Sequence, residues 1–110
     1  SNPVLGPGTS GTWDDVALSN PCIILDNGTY KMWYSGNDGS NVRIGYATST
    51  DGITWTKYAS NPILNIGSGW ESAAVFDPSV ILYNGIYRMW YTGASPDGQI
   101  GYAYSSDGIT

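Results

Sequence analysis

Apolar and polar residues alternate along much of this chain in short runs, a pattern that indicates β-strands. In residues 30–35 the odd and even positions fall on opposite faces of a strand, and both faces carry aromatic side chains. Such a strand is predicted to be covered on both faces. No window keeps the 3.6-residue period of an amphipathic helix, so a helical fold is not expected.

Turn-forming residues separate the predicted strands. Asn27-Gly28 is typical of a tight hairpin turn, because both central positions of that turn need positive φ. The predicted strands are residues 22–25, 30–35, 42–48 and 53–58 in the first half of the chain, and 77–82, 86–92 and 99–104 in the second. Trp33, Trp90 and the tyrosines near them are predicted to form the core.

The two halves of the chain are copies of one unit. Tyr-Lys-Met-Trp-Tyr-Ser-Gly at residues 30–36 returns as Tyr-Arg-Met-Trp-Tyr-Thr-Gly at residues 87–93. Shorter matches follow in the same order: residues 2–5 with 61–64, 44–47 with 100–103, and 49–54 with 105–110. A repeat of about 50 residues is typical of propellers, solenoids and other arrays.

Each unit is predicted to be a propeller blade of four short antiparallel strands. The first blade spans residues 1–60, including an extended N-terminal segment, and the second spans residues 61–110. The second unit has no counterpart of residues 55–59, so its outer strand is predicted to be incomplete. Uncovered blade faces and strand edges promote association. We therefore expect the chain to form a homo-oligomer in which copies complete one another's blades.

Charge narrows the possible partners. Nine acidic and four basic residues give a net charge of −5, and there is no histidine. Nucleic acid is not expected as a partner, because phosphate backbones bind clustered Lys and Arg. Because there is no histidine, a metal site is not expected either, and Cys22 is predicted to be a small buried hydrophobe. No apolar run is long enough for a bilayer and no secretion leader is visible, so no membrane partner is expected.

One turn of each unit has a recognisable pattern. Residues 49–55, Ser-Thr-Asp-Gly-Ile-Thr-Trp, resemble the Asp-box hairpin, although they are shorter by one residue. In such a turn Asp51 accepts hydrogen bonds from the turn backbone, Gly52 takes the strained conformation and Trp55 packs beneath. We predict a structural role for this turn.

Taken together, these motifs resemble the five-bladed β-propeller superfamily of arabinanases, β-xylosidases, invertases and levansucrases, which includes glycoside hydrolase families 32, 43, 68 and 130. The resemblance extends over essentially the whole chain. It implies an all-β fold of the glycosidase-like five-bladed type, of which this chain supplies two blades. It also implies a carbohydrate-related function without a cofactor, an oligosaccharide partner, and an extracellular or periplasmic location.

The resemblance further implies site residues at the start of the innermost strands. Asp77, in Phe-Asp-Pro-Ser at residues 76–79, matches the catalytic Asp-Pro position, whereas the first unit has Asn20 there. The predicted catalytic residues are Asp77, Glu71 and Asp14, and the predicted substrate-binding residues are Trp13, Trp70, Asn20 and Asp15. The alternative is structural: Asp77 caps the start of its strand, and the tryptophans pack between blades.

Two functions follow from these residues. The first is a glycoside hydrolase or phosphorylase that needs a longer parent chain or an oligomer to close its ring, the chain alone being expected to be inactive. The second is a non-catalytic self-assembling propeller fragment or a carbohydrate-binding module.

Overall fold

The computed structural model describes residues 2–110, and its regular secondary structure is seven β-strands and one short 3₁₀ helix at Gly69–Glu71. Ser1, the first residue of the first predicted blade, lies outside the described residues. The strands are β1 (Ala17–Asp26), β2 (Thr29–Asn37), β3 (Val42–Ser49), β4 (Thr56–Lys57), β5 (Ala74–Tyr83), β6 (Ile86–Ala94) and β7 (Gly98–Ser105). The predicted all-β fold is confirmed.

The strands form two antiparallel sheets with the same internal register. The first sheet has the order β1-β2-β3-β4 and the second has the order β5-β6-β7, and a single parallel bridge between β3 and β5 joins them. Trp33 lies opposite Tyr46 in the first sheet, and Trp90 lies opposite Tyr102 in the second. The internal repeat in the sequence is therefore a repeat of structure. The division of the chain at residue 60 stays a prediction.

The fourth strand is shorter than predicted. Only Thr56–Lys57 pairs with β3, instead of residues 53–58. The cause is the Asp-Gly turn, in which Asp51 accepts the backbone N–H groups of Ile53 and Thr54 at 2.8 Å each. Those amides are turned toward the carboxylate and cannot join the ladder. Residues 105–110 form the same turn, and no strand follows β7 within residues 106–110.

The core lies between the two sheets and on the outer face of the first. Met32, Trp33 and Tyr34 are consecutive and all buried, which confirms that β2 is covered on both faces. The core prediction is wrong for Trp90, which is 40% exposed. No element among residues 2–110 packs over that face of the second sheet. Cys22 is half-buried, and its Sγ accepts the backbone N–H of Val80 at 3.2 Å.

A charged cluster joins the sheets at the opposite end from the β2–β3 turn. The Lys31 ammonium contacts the Asp26 carboxylate at 3.0 Å and the Tyr87 hydroxyl at 2.6 Å, and Tyr87 also hydrogen-bonds Asp26. The hydrogen bond from Tyr87 and the contact with Lys31 lower the pKa of Asp26.

Across residues 2–110, no helix has the length and apolar character that a membrane span requires.

The Asp-Gly turn makes stability depend on pH in the acid range. Hydrogen bonds from the backbone of Thr54 and Ile53, and from Ser49, lower the pKa of Asp51 to about 2. Because the folded pKa lies below the usual value near 3.8, the ionised turn stabilises the fold above about pH 4. That stabilisation is lost as the pH falls through about 2.

We therefore expect Asp51→Asn to lower Tm at pH 6, and the difference from the wild type to shrink as the pH falls to 2. Circular dichroism melts across this range measure both proteins. Asp97→Asn, in the exposed turn before β7, is the matched control and should melt close to the wild type at pH 6. A difference that stays constant down to pH 2 would contradict the assignment to the Asp51 carboxylate.

Candidate active site

Two equivalent β-bulges mark the first strand of each sheet. The register slips between Ser19 and Cys22 in β1, and between Phe76 and Ser79 in β5. At the bulges Asn20 has φ 53° and Asp77 has φ 55°, values in the left-handed region. Residues other than glycine rarely adopt this region, and among them Asn and Asp tolerate it best. Both units therefore hold a polar side chain in the same strained conformation.

A buried hydroxyl holds the second bulge in place. Ser35 lies in β2 opposite Ser19, and its Oγ accepts the backbone N–H of Asp77 at 3.0 Å. Ser35 is almost fully buried. The sequence prediction did not single out this residue. The available signal was that its counterpart in the repeat, Thr92, also carries a hydroxyl.

The bulge presents the Asp77 carboxylate to solvent. Asp77 is exposed, and within residues 2–110 its carboxylate makes no hydrogen bond or ion pair. The alternative role predicted for Asp77, capping the start of its strand through its side chain, is therefore not what the geometry shows. Asn20 is exposed in the same way on β1. The structure thus places one unpaired carboxylate and one amide at equivalent positions of β5 and β1, the first strands of the two sheets.

Asp14 lies in a different environment. It is 2% exposed, and its Oδ2 accepts hydrogen bonds from Lys57 at 2.7 Å and from Tyr34 at 3.4 Å. Burial and the nearby Asp14 carboxylate raise the pKa of Tyr34, so its hydroxyl stays a proton donor. The contacts of Asp14 tie the N-terminal loop to the first sheet. A catalytic role for Asp14 stays a prediction that this geometry does not favour.

The tryptophan beside Asp14 packs on glycine. The Trp13 ring lies over Gly36 and Gly45, where any Cβ would overlap it, and lies 5.8 Å from the Tyr34 ring. Trp70 repeats this arrangement over Gly93 and Gly101 in the second sheet. The glycines of the repeat are thus docking sites for the two tryptophans. Substrate binding by these rings stays a prediction.

Glu71 is the counterpart of Asp14 in the second unit, and it has fewer hydrogen-bond partners. Its Oε2 accepts a hydrogen bond from the Tyr91 hydroxyl at 2.9 Å, and the Trp70 and Tyr91 rings stack with centroids 6.0 Å apart. Desolvation, with the hydrogen bond to Glu71 as the second cause, raises the pKa of Tyr91 to about 12. Glu71 is half-buried and no lysine contacts it in the described chain. Its predicted catalytic role is neither supported nor contradicted by these contacts.

An open polar depression of about 530 Å³ lies beside Trp13, at the end of the sheet where β2 turns into β3. Asp15 lines it and accepts the backbone N–H of Gly11 at 2.7 Å. Asp38 and Arg43 form an ion pair of 2.7 Å there, and the hydrogen bond from Arg43 lowers the pKa of Asp38 to about 2. Arg43 therefore pairs within its own hairpin.

The charged groups of this depression suit hydroxyl ligands better than anions. Carboxylates accept hydrogen bonds from sugar hydroxyls, and an aromatic ring at the wall offers an apolar surface. The single cation, Arg43, is already neutralised by Asp38. Within residues 2–110, no group of three or more His, Cys, Asp or Glu side chains could hold a metal ion.

The chemistry available is that of a carboxylic acid and hydrogen-bonding groups. An exposed carboxyl group such as that of Asp77 can transfer a proton to or from a bound substrate. Asn20 can hydrogen-bond a hydroxyl but cannot exchange a proton at neutral pH. The two equivalent bulges therefore differ in chemistry: the one at Asp77 can transfer a proton, and the one at Asn20 can only form hydrogen bonds.

Comparison with known proteins places this arrangement in a family. Residues 12–107 match the family model described as beta-1,4-mannooligosaccharide phosphorylase, glycoside hydrolase family 130. An uncharacterized protein of Mycobacterium tuberculosis is 38% identical over 104 residues, which are 88% of this chain and 34% of that protein. A 1,2-beta-oligomannan phosphorylase of Thermoanaerobacter sp. is 33% identical over 99 residues, which are 83% of this chain and 33% of the enzyme.

Solved structures agree on the fold. A glycosyl hydrolase from Bacteroides ovatus superimposes with a TM-score of 0.86 over 99% of this chain and 37% of its own, at 24% sequence identity. At that identity the likeness shows the fold alone, and it confirms the β-propeller glycosidase architecture. The chain spans about a third of the length of the curated relatives it matches. The family match covers most of the sequence, and the chain belongs to glycoside hydrolase family 130, the beta-1,4-mannooligosaccharide phosphorylase family, as a carbohydrate-related glycoside hydrolase-like module.

Proposed function

We propose that this chain contributes Asp77, as the proton-transferring carboxylic acid, to a site that cleaves β-mannosidic bonds. The support is family membership together with the similarity to a 1,2-beta-oligomannan phosphorylase. The rest of the site comes from further blades, supplied by a longer parent chain or by other copies. Asn20 and the depression beside Trp13 bind sugar hydroxyls in this proposal.

The observation that carries the proposal is the conformation of Asp77. A non-glycine residue at φ 55° costs free energy, of order 1 kcal/mol or more, and persists only where the surrounding structure compensates. Here the compensation is the hydrogen bond to the buried Ser35. Strained residues of this kind concentrate at functional sites, and this one exposes an unpaired carboxylate.

The pairing of Asp77 with Asn20 favours phosphate over water as the acceptor. Hydrolysis of a glycoside needs two carboxyl groups, one of which activates water or attacks the sugar. Phosphate is itself a nucleophile, so phosphorolysis needs only the acid. Asp77 protonates the glycosidic oxygen while the bond from that oxygen to the anomeric carbon breaks. A phosphate oxygen forms the new bond to the same carbon, and the product is a mannosyl phosphate.

The test uses the protein with its ring complete, either the oligomer of this chain or the longer parent chain. It is incubated with β-1,2- and β-1,4-linked mannobiose, with and without inorganic phosphate. We expect mannose 1-phosphate to appear only when phosphate is present. Equal release of free mannose in both conditions would show hydrolysis and overturn the choice of acceptor. The proposal is overturned if no product forms and a calorimetric titration with the same sugars shows no binding.

A second function is supported by the polar depression beside Trp13. It is lined by the N-terminal loop, the β2–β3 hairpin and the segment at Pro62 and Asn65, all of this chain, so it does not require further blades. A carbohydrate-binding module would bind mannobiose in the titration and release no product in either condition. In that case Asp15→Asn should weaken binding, whereas Asp77→Asn should leave it unchanged.

A further inference from the structure

The second sheet exposes a face that is buried on the first sheet. The exposed fraction rises from 2% at Trp33 to 40% at Trp90, and from 0% at Ile44 to 72% at Ile100. Tyr102 is likewise exposed where its counterpart is buried. We call this the Trp90 face, formed by Trp90, Ile100, Tyr102 and Tyr104. Large exposed apolar patches of this kind mark interaction surfaces.

The first sheet exposes the complementary half of the same arrangement. Within the chain, Val80 of the second sheet packs against the first sheet and is 6% exposed, whereas its counterpart Ile23 is 49% exposed. Ile109 packs between the sheets, and its counterpart Ile53 is exposed. We call this the Ile23 face, formed by Ile23, Leu25, Tyr30 and Ile53. Ile23, Leu25 and Ile53 are exposed on this face, whereas Met32 and Tyr34 beside them are covered by the N-terminal loop and Trp55 of the same chain.

The polar contacts of the internal interface have counterparts ready on the two faces. Trp33 Nε1 donates to the Gly108 carbonyl at 2.9 Å. The equivalent acceptor for Trp90 is the Gly52 carbonyl of another copy, which already accepts Trp55 Nε1 of its own chain at 3.1 Å and keeps one lone pair for a second donor. Cys22 Sγ accepts the Val80 N–H, a contact that Ser79 Oγ can make with the Ile23 N–H of another copy.

Arg88 lies on the same side of β6 as Trp90, and one nitrogen of its guanidinium group has no partner in the described chain. Its Nε is buried and has no hydrogen-bond acceptor among residues 2–110. Buried donors without partners are rare and costly. The counterpart of Arg88 is Lys31, which contacts the Tyr87 hydroxyl of the neighbouring sheet at 2.6 Å. The equivalent acceptor for Arg88 is the Tyr30 hydroxyl on the Ile23 face of another copy.

The edge of the second sheet is also prepared for pairing. In the first sheet, the Asn61 side chain bonds the backbone N–H and carbonyl of Tyr46 at 2.9 Å each, and Leu64 bridges to Ile44. Within residues 2–110, no strand pairs with the outer edge of β7. Residues 2–5 resemble residues 61–64 in sequence and come before the residues of the Ile23 face in the chain. If the Ile23 face of another copy binds the Trp90 face, residues 2–5 of that copy would lie at the outer edge of β7.

We propose that the Trp90 face binds the Ile23 face of a second copy of this chain, in the arrangement that joins the two sheets within one chain. The interface is head-to-tail, so every copy uses both faces once. Two copies supply four blades and three supply six, and growth stops when the ring leaves no room for a further copy. This proposal does not depend on any catalytic role for Asp77.

Light scattering on a sizing column tests the proposal. We expect the wild-type chain to be a dimer or a trimer. Ile100→Arg and Ile23→Arg should each raise the dissociation constant of the assembly by at least about tenfold. Val16→Arg is the matched control, since Val16 is equally exposed but its counterpart Ala73 stays exposed beside the internal interface. It should assemble like the wild type.

Mixing the two variants gives the decisive result. Ile100→Arg keeps an intact Ile23 face and Ile23→Arg keeps an intact Trp90 face, so the mixture should form a 1:1 pair although neither forms one alone. Both side chains are exposed, so folding should persist; circular dichroism checks this, and Tyr104→Arg replaces Ile100→Arg if that variant is unfolded. A wild-type monomer, or a mixture that stays monomeric, would overturn the proposal. So would assembly that survives both substitutions.

Discussion

Asp77→Asn is expected to lower the rate of mannoside cleavage by about 10²–10⁴-fold while the fold and sugar affinity stay unchanged. The amide has the size of the carboxyl group but cannot transfer the proton to the leaving oxygen. It also tolerates the strained backbone, because Asn20 already occupies the equivalent bulge at φ 53°. The measurement is the turnover rate with saturating mannobiose and phosphate, together with Tm and the calorimetric affinity.

The chain offers matched controls for this substitution. Asp97→Asn makes the same chemical change at an exposed turn and should leave turnover unaltered. Asp77→Gly should also abolish turnover but raise the free energy of unfolding by about 1 kcal/mol, because glycine adopts positive φ without strain. A turnover rate within a few-fold of the wild type for Asp77→Asn would remove Asp77 from the reaction.

Gly36→Ala is expected to be the most destabilising conservative substitution in the first sheet. A Cβ at position 36 would lie 2.6 Å from Cη2 of Trp13 and 2.7 Å from Cβ of Asp14. Relief requires the ring and the buried Asp14 to move together, and Asp14 is held by Lys57 and Tyr34. Overpacking of this kind costs about 3 kcal/mol, or a fall in Tm of about 10–20 °C.

Thermal and urea unfolding measure the effect against Gly6→Ala. A Cβ at Gly6 meets nothing within 4 Å, so that variant should stay within about 0.5 kcal/mol of the wild type. Gly93→Ala makes the equivalent overlap with Trp70 in the second sheet and should also destabilise. Equal stabilities of Gly36→Ala and Gly6→Ala would show that the N-terminal loop, not the sheet, absorbs the change, contrary to the packing described for Trp13.

The positions of several side chains could not be predicted from their neighbours in the sequence. Asp14 and Asp15 are adjacent acids, yet Asp14 is buried against Lys57, which is 43 residues away, while Asp15 faces the open depression. Ser35 fits the alternating pattern of its strand equally well as a surface or a core residue. Its contact with Asp77 depends on how the two sheets pack, since it joins residues 42 positions apart.

Local sequence patterns predict most of the strands, the turns, the repeat and the family resemblance that points to Asp77, but not the bounds of β4. These features depend on local backbone preferences and on the two-residue period of a strand, which each segment carries with it. Which faces are covered depends instead on how the sheets pack. Trp33 and Trp90 lie in nearly identical seven-residue segments, yet Trp33 is buried and Trp90 is exposed. The difference arises because burial depends on which sheet packs alongside and not on the strand's own residues.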